Sequence, residues 1–174
     1  MPQKNSVKLY HENGYYHVYN RGVEQREIFL EKDDYIFFLY LLKTALLPPT
    51  SEEIAPQRPS QGATLMRAPK RARQNFFGKI ILLSFNLMPN HYHFLVKQNI
   101  ATGITEFIRS VSTTYVMYFN KKYKRVGSLF QGIFKAIDID NDNYLLWLTR
   151  YIHRNSMDYQ NHPYSSSGLT QKAL

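Results

Sequence analysis

The chain has 174 residues, a length typical of one domain, and its 44% hydrophobic content is enough for a substantial core. Lys and Arg number 22 against 13 Asp and Glu, and the formal net charge of +9 favours a polyanionic partner such as nucleic acid. The absence of cysteine excludes disulfides, zinc–thiolate sites and thiol nucleophiles, so any metal must be held by His, Asn, Gln, Asp or Glu.

The first part of the chain predicts a strand, a helix and a long basic insertion. The segment YYHVYNRG, rich in aromatic and β-branched residues, predicts a strand that ends at Gly22. A helix is predicted from Lys32 to Leu46, with acidic residues in its first turn. Residues 48–75 hold five of the eight prolines and several basic residues, which predicts an exposed loop that either contacts DNA or is simply solvated.

The second part predicts a hairpin followed by two helices. Lys79 to Met88 is a short apolar run that predicts a buried strand, and the turn Pro89-Asn90 leads into a second strand, HYHFLVK. A helix is predicted from Thr102 to about Tyr123, with Thr102 or Thr105 as the candidate cap. The segment GSLFQGIFKAIDI predicts an extended edge strand, and a last helix runs from residue 140 to about residue 155. Together these elements predict an α+β domain with a largely antiparallel sheet.

No apolar run approaches the roughly 20 residues needed to cross a bilayer. The first residues also lack the apolar core of a signal peptide. We therefore expect no membrane association and a cytoplasmic location.

His91 and His93 are spaced by two residues on a predicted strand, so both side chains point to the same face and Tyr92 points to the other. Two neutral imidazoles can bind a divalent ion, but a third donor is needed for a firm site. Read alone, such a pair is more often two ordinary histidines than a metal site.

Tyr151 and Asn155 lie four residues apart on the last predicted helix and share one face. A tyrosine hydroxyl can act as a nucleophile, and an amide oxygen can bind the metal that polarises the attacked phosphate. The alternative is that Tyr151 packs on the sheet and Asn155 caps the helix. Tyr115 and Tyr118 are rival nucleophiles, although neither has a metal-binding residue four positions later; Tyr115 is the runner-up.

Four ordered motifs carry a resemblance to a known family. MPNHYHFLV resembles the histidine motif of the REP-associated tyrosine transposases, a branch of the single-tyrosine HUH (IS200-like) transposases. YHVYNRG, TYVMYFNKKYKRVGSLFQGIFKA and YLLWLTRYIHRNS resemble the corresponding family segments in the same order. The resemblance covers about Tyr15 to Met157. It places a single transposase domain at residues 14–157, with residues 1–13 and 158–174 as tails.

The resemblance implies a ferredoxin-like or RRM-like sheet with helices on one face, plus a C-terminal helix that carries the nucleophile. It implies Tyr151 as nucleophile, and His91, His93 and Asn155 as ligands of Mg²⁺ or Mn²⁺. The implied reaction is cleavage and strand transfer of single-stranded or hairpin DNA through a 5′-phosphotyrosine link, by a monomer or a homodimer that is nucleoid-associated in a bacterial cell when bound to DNA. A hairpin-binding regulator without enzymatic activity and a hydrolytic, water-using nuclease are the alternatives.

Basic residues near the motifs are the expected DNA contacts, with His17 and Asn20 on the first strand as further candidates for DNA recognition. The expected basic contacts are Arg21, Lys121, Lys122, Lys124, Arg125, Lys135, Arg150 and Arg154. The chain departs from the family pattern at Ser156, where proline is usual, and at Ile133, where arginine is frequent. The second departure removes one phosphate contact.

Overall fold

The computed structural model describes residues 10–48, 74–141, 143 and 145–151. Four strands and three helices follow in the order β1, α1, β2, β3, α2, β4, α3. Their bounds are β1 Tyr15–Arg21, α1 Lys32–Leu46, β2 Ile80–Met88, β3 His91–Gln98, α2 Gly103–Lys122, β4 Lys135–Asp138 and α3 145–151.

The four strands form one sheet in the order β2-β3-β1-β4, and every neighbouring pair is antiparallel. This order, with a helix after β1 and another after β3, is the ferredoxin-like arrangement, so the predicted fold class is confirmed. The hairpin β2–β3 turns at Pro89-Asn90 as predicted. The Pro89 carbonyl accepts hydrogen bonds from the amides of Ile28 and Phe29, which attaches this turn to the segment after β1.

The two faces of the sheet bury different side chains because successive residues of a strand alternate. One face carries Val18, Tyr92 and Phe94, all fully buried in the main core with residues of α1 and α2. The opposite face carries the histidines and Leu95. Leu95 packs with Ile139 and with Leu148 of α3 in a separate, smaller apolar cluster. The sheet therefore has two helices on one side and α3 on the other.

Two local predictions need correction. The extended segment after Gly127 forms a strand only at β4, because Gly127 and Gly132 have φ values of 92° and 148° that interrupt regular pairing. Thr102 occupies the residue before α2 but makes no capping hydrogen bond with its side chain. The side-chain oxygen of Gln98 instead accepts a hydrogen bond from the amide of Ile104 at 3.2 Å.

Among the residues described, no helix is both long enough and apolar enough to cross a membrane.

Candidate active site

The histidine pair lies at the centre of the sheet, on the face covered by α3. His91 and His93 point to this face from β3, and their ring centroids are 5.0 Å apart at an angle of 88°. Arg21 and Tyr19 of β1 lie directly opposite His91 and His93 in the register. Tyr92, between the histidines, is fully buried in the core on the other side.

One ring nitrogen of His91 is held by the preceding residue. His91 Nδ1 lies 2.5 Å from Asn90 Oδ1, and Asn90 Nδ2 donates to the Gln25 carbonyl at 3.4 Å, which fixes the orientation of the amide. Because Oδ1 can only accept, Nδ1 of His91 carries the proton and Nε2 keeps a free lone pair. Burial, followed by the nearby charge of Arg21, lowers the pKa of His91 and favours the neutral ring.

The second histidine is paired with a third one. His93 Nδ1 lies 2.8 Å from His17 Nε2, and the two rings are stacked with centroids 5.0 Å apart. Burial, with smaller contributions from His17 and His91, lowers the pKa of His93 to about 3, and burial lowers that of His17 to about 4. All three rings are therefore neutral at pH 7, which is the form that binds metal ions.

Tyr151 lies over this face from α3. Its ring centroid is 6.2 Å from that of His93, and the two rings are nearly perpendicular. The Tyr151 ring also stacks on Trp147, one helical turn earlier, at 5.3 Å and 12°. Tyr151 keeps 39% of its surface exposed, so a substrate can reach it. The structure thus brings together His91, His93 and the tyrosine that the sequence favoured.

The rival tyrosines lie on the opposite side of the sheet. Tyr115 is fully buried among Phe29 and Phe38, and its hydroxyl donates to the carbonyl of Ile28. Burial raises the pKa of Tyr115 far above its usual value, which makes the phenolate inaccessible. Tyr118 stacks on Phe37 at 4.0 Å and donates to Asp34 at 3.2 Å. Neither hydroxyl faces the histidines.

Two expected site residues, the metal ligand Asn155 and the DNA contact Arg154, lie outside the described residues. Within the described ranges, no group of three His, Asp or Glu side chains could hold a metal ion.

The expected DNA contacts fall into two groups. Arg21 and Lys135 lie on the histidine face, with Lys135 Nζ 5.8 Å from the centroid of the Tyr19 ring, and the exposed Arg150 directly precedes Tyr151 on α3. The other group, at the C-terminal end of α2, consists of Lys121, Lys124 and Arg125. All of these except the half-buried Arg125 are exposed.

Lys122 does not belong to either group. Its ammonium lies 2.8 Å from carboxylate oxygens of both Asp34 and Glu31 and 3.0 Å from the Tyr118 hydroxyl. Because these partners already use its donors, we correct the expectation that Lys122 contacts phosphate and assign it to the packing of α1 against α2.

Several residues near the site were missed or assigned differently by sequence reasoning. Asn20 is buried, and its amide donates to the Gly132 carbonyl at 3.1 Å, which indicates a structural role. Asn86 lies opposite His93 in β2 and is 3% exposed, and its Nδ2 has no partner among the described residues. Trp147 was not singled out, although its position four residues before Tyr151 was a usable signal. The position of Asn86 opposite His93 follows from strand register, and the contact of Asn20 joins segments far apart in the chain, so no local sequence pattern contains either.

Comparisons with known proteins concern the family and the fold. Residues 73–155 match the family model described as "Transposase IS200 like". The fold is similar to that of a REP-associated tyrosine transposase solved bound to a REP hairpin, with a TM-score of 0.60 and 12% identity, covering 99% of this chain and 88% of that chain. A crystal structure from Deinococcus radiodurans R1, described as a "putative transposase", has a TM-score of 0.46 and 10% identity, covering 86% of this chain and 96% of that chain. None of the curated proteins matches the chain.

Proposed function

We propose that this chain, whose residues 73–155 carry an IS200-like transposase domain, cleaves and rejoins single-stranded DNA through a covalent link to Tyr151. The observation that carries the proposal is the position of Tyr151, partly exposed and 6.2 Å from His93 between ring centroids. A nucleophile and a pair of neutral imidazoles on one accessible face are the parts that such a reaction needs.

The donor chemistry of the site fits a divalent ion such as Mg²⁺ or Mn²⁺. His91 is neutral and presents Nε2, because Asn90 engages its Nδ1. We propose His91, His93 and Asn155 as the ligands, with Asn155 assigned from its spacing to Tyr151 alone. When bound, the ion would polarise the scissile phosphate and stabilise the charge that develops on its oxygens.

The covalent step follows from the chemistry of a tyrosine hydroxyl. Tyr151 Oη attacks the phosphorus, the Oη–P bond forms and the bond from phosphorus to the 3′-oxygen of the preceding nucleotide breaks. The phenol loses its proton to solvent, and the departing 3′-oxygen takes up one proton to become a free 3′-hydroxyl. Because the number of phosphoester bonds is unchanged, attack by another 3′-hydroxyl reverses the step and joins strands without an external energy source.

Hairpin DNA is the substrate that we propose. The structural relative was solved with a REP hairpin, and the exposed basic groups around the histidine face of this chain suit a phosphate backbone. Arg21 and Lys135 would position the strand across β1 and β4, and Arg150 would contact it from α3.

A covalent-capture assay tests the proposal. The protein is incubated with Mn²⁺ and a hairpin DNA that has a single-stranded flank and a 3′-label, and the products are separated in SDS. We expect a labelled adduct with the wild type that is abolished by Tyr151→Phe and retained by Tyr40→Phe, a change at an exposed tyrosine of α1.

Each other outcome overturns the proposal in a different way. An adduct that persists in Tyr151→Phe means that another residue is the nucleophile. Cleavage without an adduct indicates a hydrolytic nuclease that uses water. Binding without cleavage indicates a hairpin-binding regulator.

A further inference from the structure

His17 has no role in the proposed reaction, although its side chain is within hydrogen-bond distance of His93, a proposed metal ligand. It lies on β1 diagonally across from His93, with 7% of its surface exposed. Its Nε2 is 2.8 Å from His93 Nδ1, a distance typical of a hydrogen bond. In this bond, one of the two nitrogens must carry a proton and donate, and the other must accept.

The position of the proton in this bond decides whether His93 can bind a metal. A neutral imidazole carries one N–H and one lone pair. If His93 donates from Nδ1, its Nε2 has a lone pair that faces a metal. If His17 donates from Nε2, the proton of His93 must be on its own Nε2, and that atom cannot be a ligand.

The other nitrogen of His17 affects this choice. His17 Nδ1 is buried, and it has no hydrogen-bond partner in the described part of the chain. In the arrangement that permits metal binding, Nδ1 carries a proton and is a buried donor without an acceptor. In the alternative arrangement, it is only a buried lone pair. A metal ion on His93 Nε2 selects the first arrangement, because the ion needs that lone pair and the buried Nδ1 proton of His93 then needs His17 Nε2 as its acceptor.

We propose that His17 is a positioning residue that controls the tautomer of His93 and thereby its affinity for a divalent cation. On metal binding, His17 Nε2 accepts the proton of His93 Nδ1, holds the ring in place and leaves Nε2 as the ligand. A partner on the second nitrogen of a metal-binding histidine commonly orients the ring in this way. The inference rests on the metal site of the proposed function but not on the covalent step.

Two substitutions separate hydrogen bonding from packing. His17→Phe keeps a ring of similar shape but removes the acceptor, whereas His17→Gln keeps an acceptor in the side-chain amide. His11→Gln serves as the matched control, because His11 is a histidine of the same segment that contacts Tyr16 and not His93. All three are made in a Tyr151→Phe background, so that no covalent chemistry contributes.

Mn²⁺ affinity is measured without DNA, from the electron paramagnetic resonance signal of the free ion. We expect His17→Phe to weaken binding about 10- to 100-fold, and His17→Gln and His11→Gln to stay within about threefold of the parent. Equal affinity in all proteins overturns the proposal, as does a loss in His17→Gln as large as that in His17→Phe. Circular dichroism checks that each variant is folded.

Nitrogen NMR of the histidine rings gives a second readout on protein with native residues at 11 and 17. This readout does not require His17→Phe to fold. With Zn²⁺ as a diamagnetic probe, we expect the His93 proton on Nδ1. A proton on Nε2 of His93 in the Zn²⁺-bound protein contradicts the inference. If the metal data fit but the wild type forms no DNA adduct, the covalent function fails while the role of His17 stands.

Discussion

Asp34 is the residue on which the two core helices converge. Its side chain is fully buried at the start of α1 and accepts hydrogen bonds from the amides of Leu30 and Glu31. The hydroxyl of Tyr123 at 2.7 Å and the ammonium of Lys122 at 2.8 Å reach the same carboxylate from the end of α2. These hydrogen bonds compensate the cost of burying the charge of Asp34. Loss of that charge therefore weakens all of these hydrogen bonds together.

Asp34→Asn should lower the free energy of unfolding by about 3 kcal/mol at pH 7, because it leaves Lys122 without its most buried partner. Burial alone would raise the pKa of Asp34, but the hydrogen bonds from Lys122, Tyr123 and the backbone outweigh it and lower this pKa. The stabilisation is therefore complete above the unfolded-state pKa of about 4 and is lost as pH falls through the lower folded-state pKa.

Urea unfolding followed by circular dichroism measures the free energy of unfolding of the wild type and of Asp34→Asn at pH 7 and near pH 3. The difference in free energy of unfolding between the wild type and Asp34→Asn should be smaller near pH 3 than at pH 7. The exposed neighbour provides the control, since Asp33→Asn removes a charge from the same helical turn without touching this group. If the difference in free energy of unfolding is the same at both pH values, the variant is destabilised by altered packing and not by the loss of charge.

At the scale of single residues, a sequence pattern does not distinguish the surroundings that a side chain has in the fold. Tyr115 and Lys122 lie in a run where basic and aromatic residues interleave, and that pattern is the same whether a side chain faces DNA or a neighbouring helix. The structure separates them, because Tyr115 faces the core and Lys122 faces Asp34. Tyr151 was favoured for its spacing to Asn155, and the contact of its ring with His93 agrees with that preference.

Among the elements, α3 is the one whose position matters most for the proposed chemistry. Leu148, 1% exposed, packs with Leu95 and Ile139 in a cluster separate from the main core. Tyr151 lies one turn beyond this anchor. A helix held by a small apolar cluster can open locally without unfolding the domain, which makes the placement of Tyr151 sensitive to the packing of Leu148.

Leu148→Ala should lower the yield of covalent adduct about 10- to 100-fold, because small displacements of a reacting group are costly. Hydrogen exchange should show lost protection in α3 and unchanged protection in β1, β3 and α1. Leu146→Ala is the matched control, since Leu146 is on the same helix and 59% exposed. A uniform loss of protection throughout the domain would mean that α3 is an integral part of the cooperative core.

The elements themselves were well predicted where the local signals were strong. α1 has the bounds Lys32–Leu46 expected from its acidic start and apolar pattern, and the hairpin turns at Pro89-Asn90. β4, Lys135–Asp138, is shorter than the predicted extended segment, and Gly132, with a φ of 148°, lies before its first residue. The order of the strands and the meeting of His17 with His93 depend on pairing between distant segments, which local periodicity does not specify.

At the scale of the whole molecule, two exposed cations from different strands lie on the face where the proposed reaction would take place. Arg21 of β1 is directly opposite His91, and Lys135 of β4 is directly opposite Tyr19. A strand of DNA across this face would meet these two side chains in succession. They can therefore position the strand, while the net charge of +9 supplies a general attraction.

This arrangement predicts that binding of hairpin DNA weakens steeply with salt and that single basic residues contribute separable parts of the effect. Each phosphate contact contributes about 0.7 to 0.9 to the slope of log K against log salt. Arg21→Gln and Lys135→Gln should each reduce the slope by about that amount, whereas Lys43→Gln, on the outer surface of α1, should leave it unchanged. Fluorescence anisotropy with a hairpin oligonucleotide between low and physiological salt measures the three slopes.

If the slope of log K against log salt falls by the same amount in all three variants, DNA is held by the overall charge and not across the histidine face. If Tyr151→Phe keeps the wild-type slope while losing the adduct, binding and chemistry reside in different side chains of one surface.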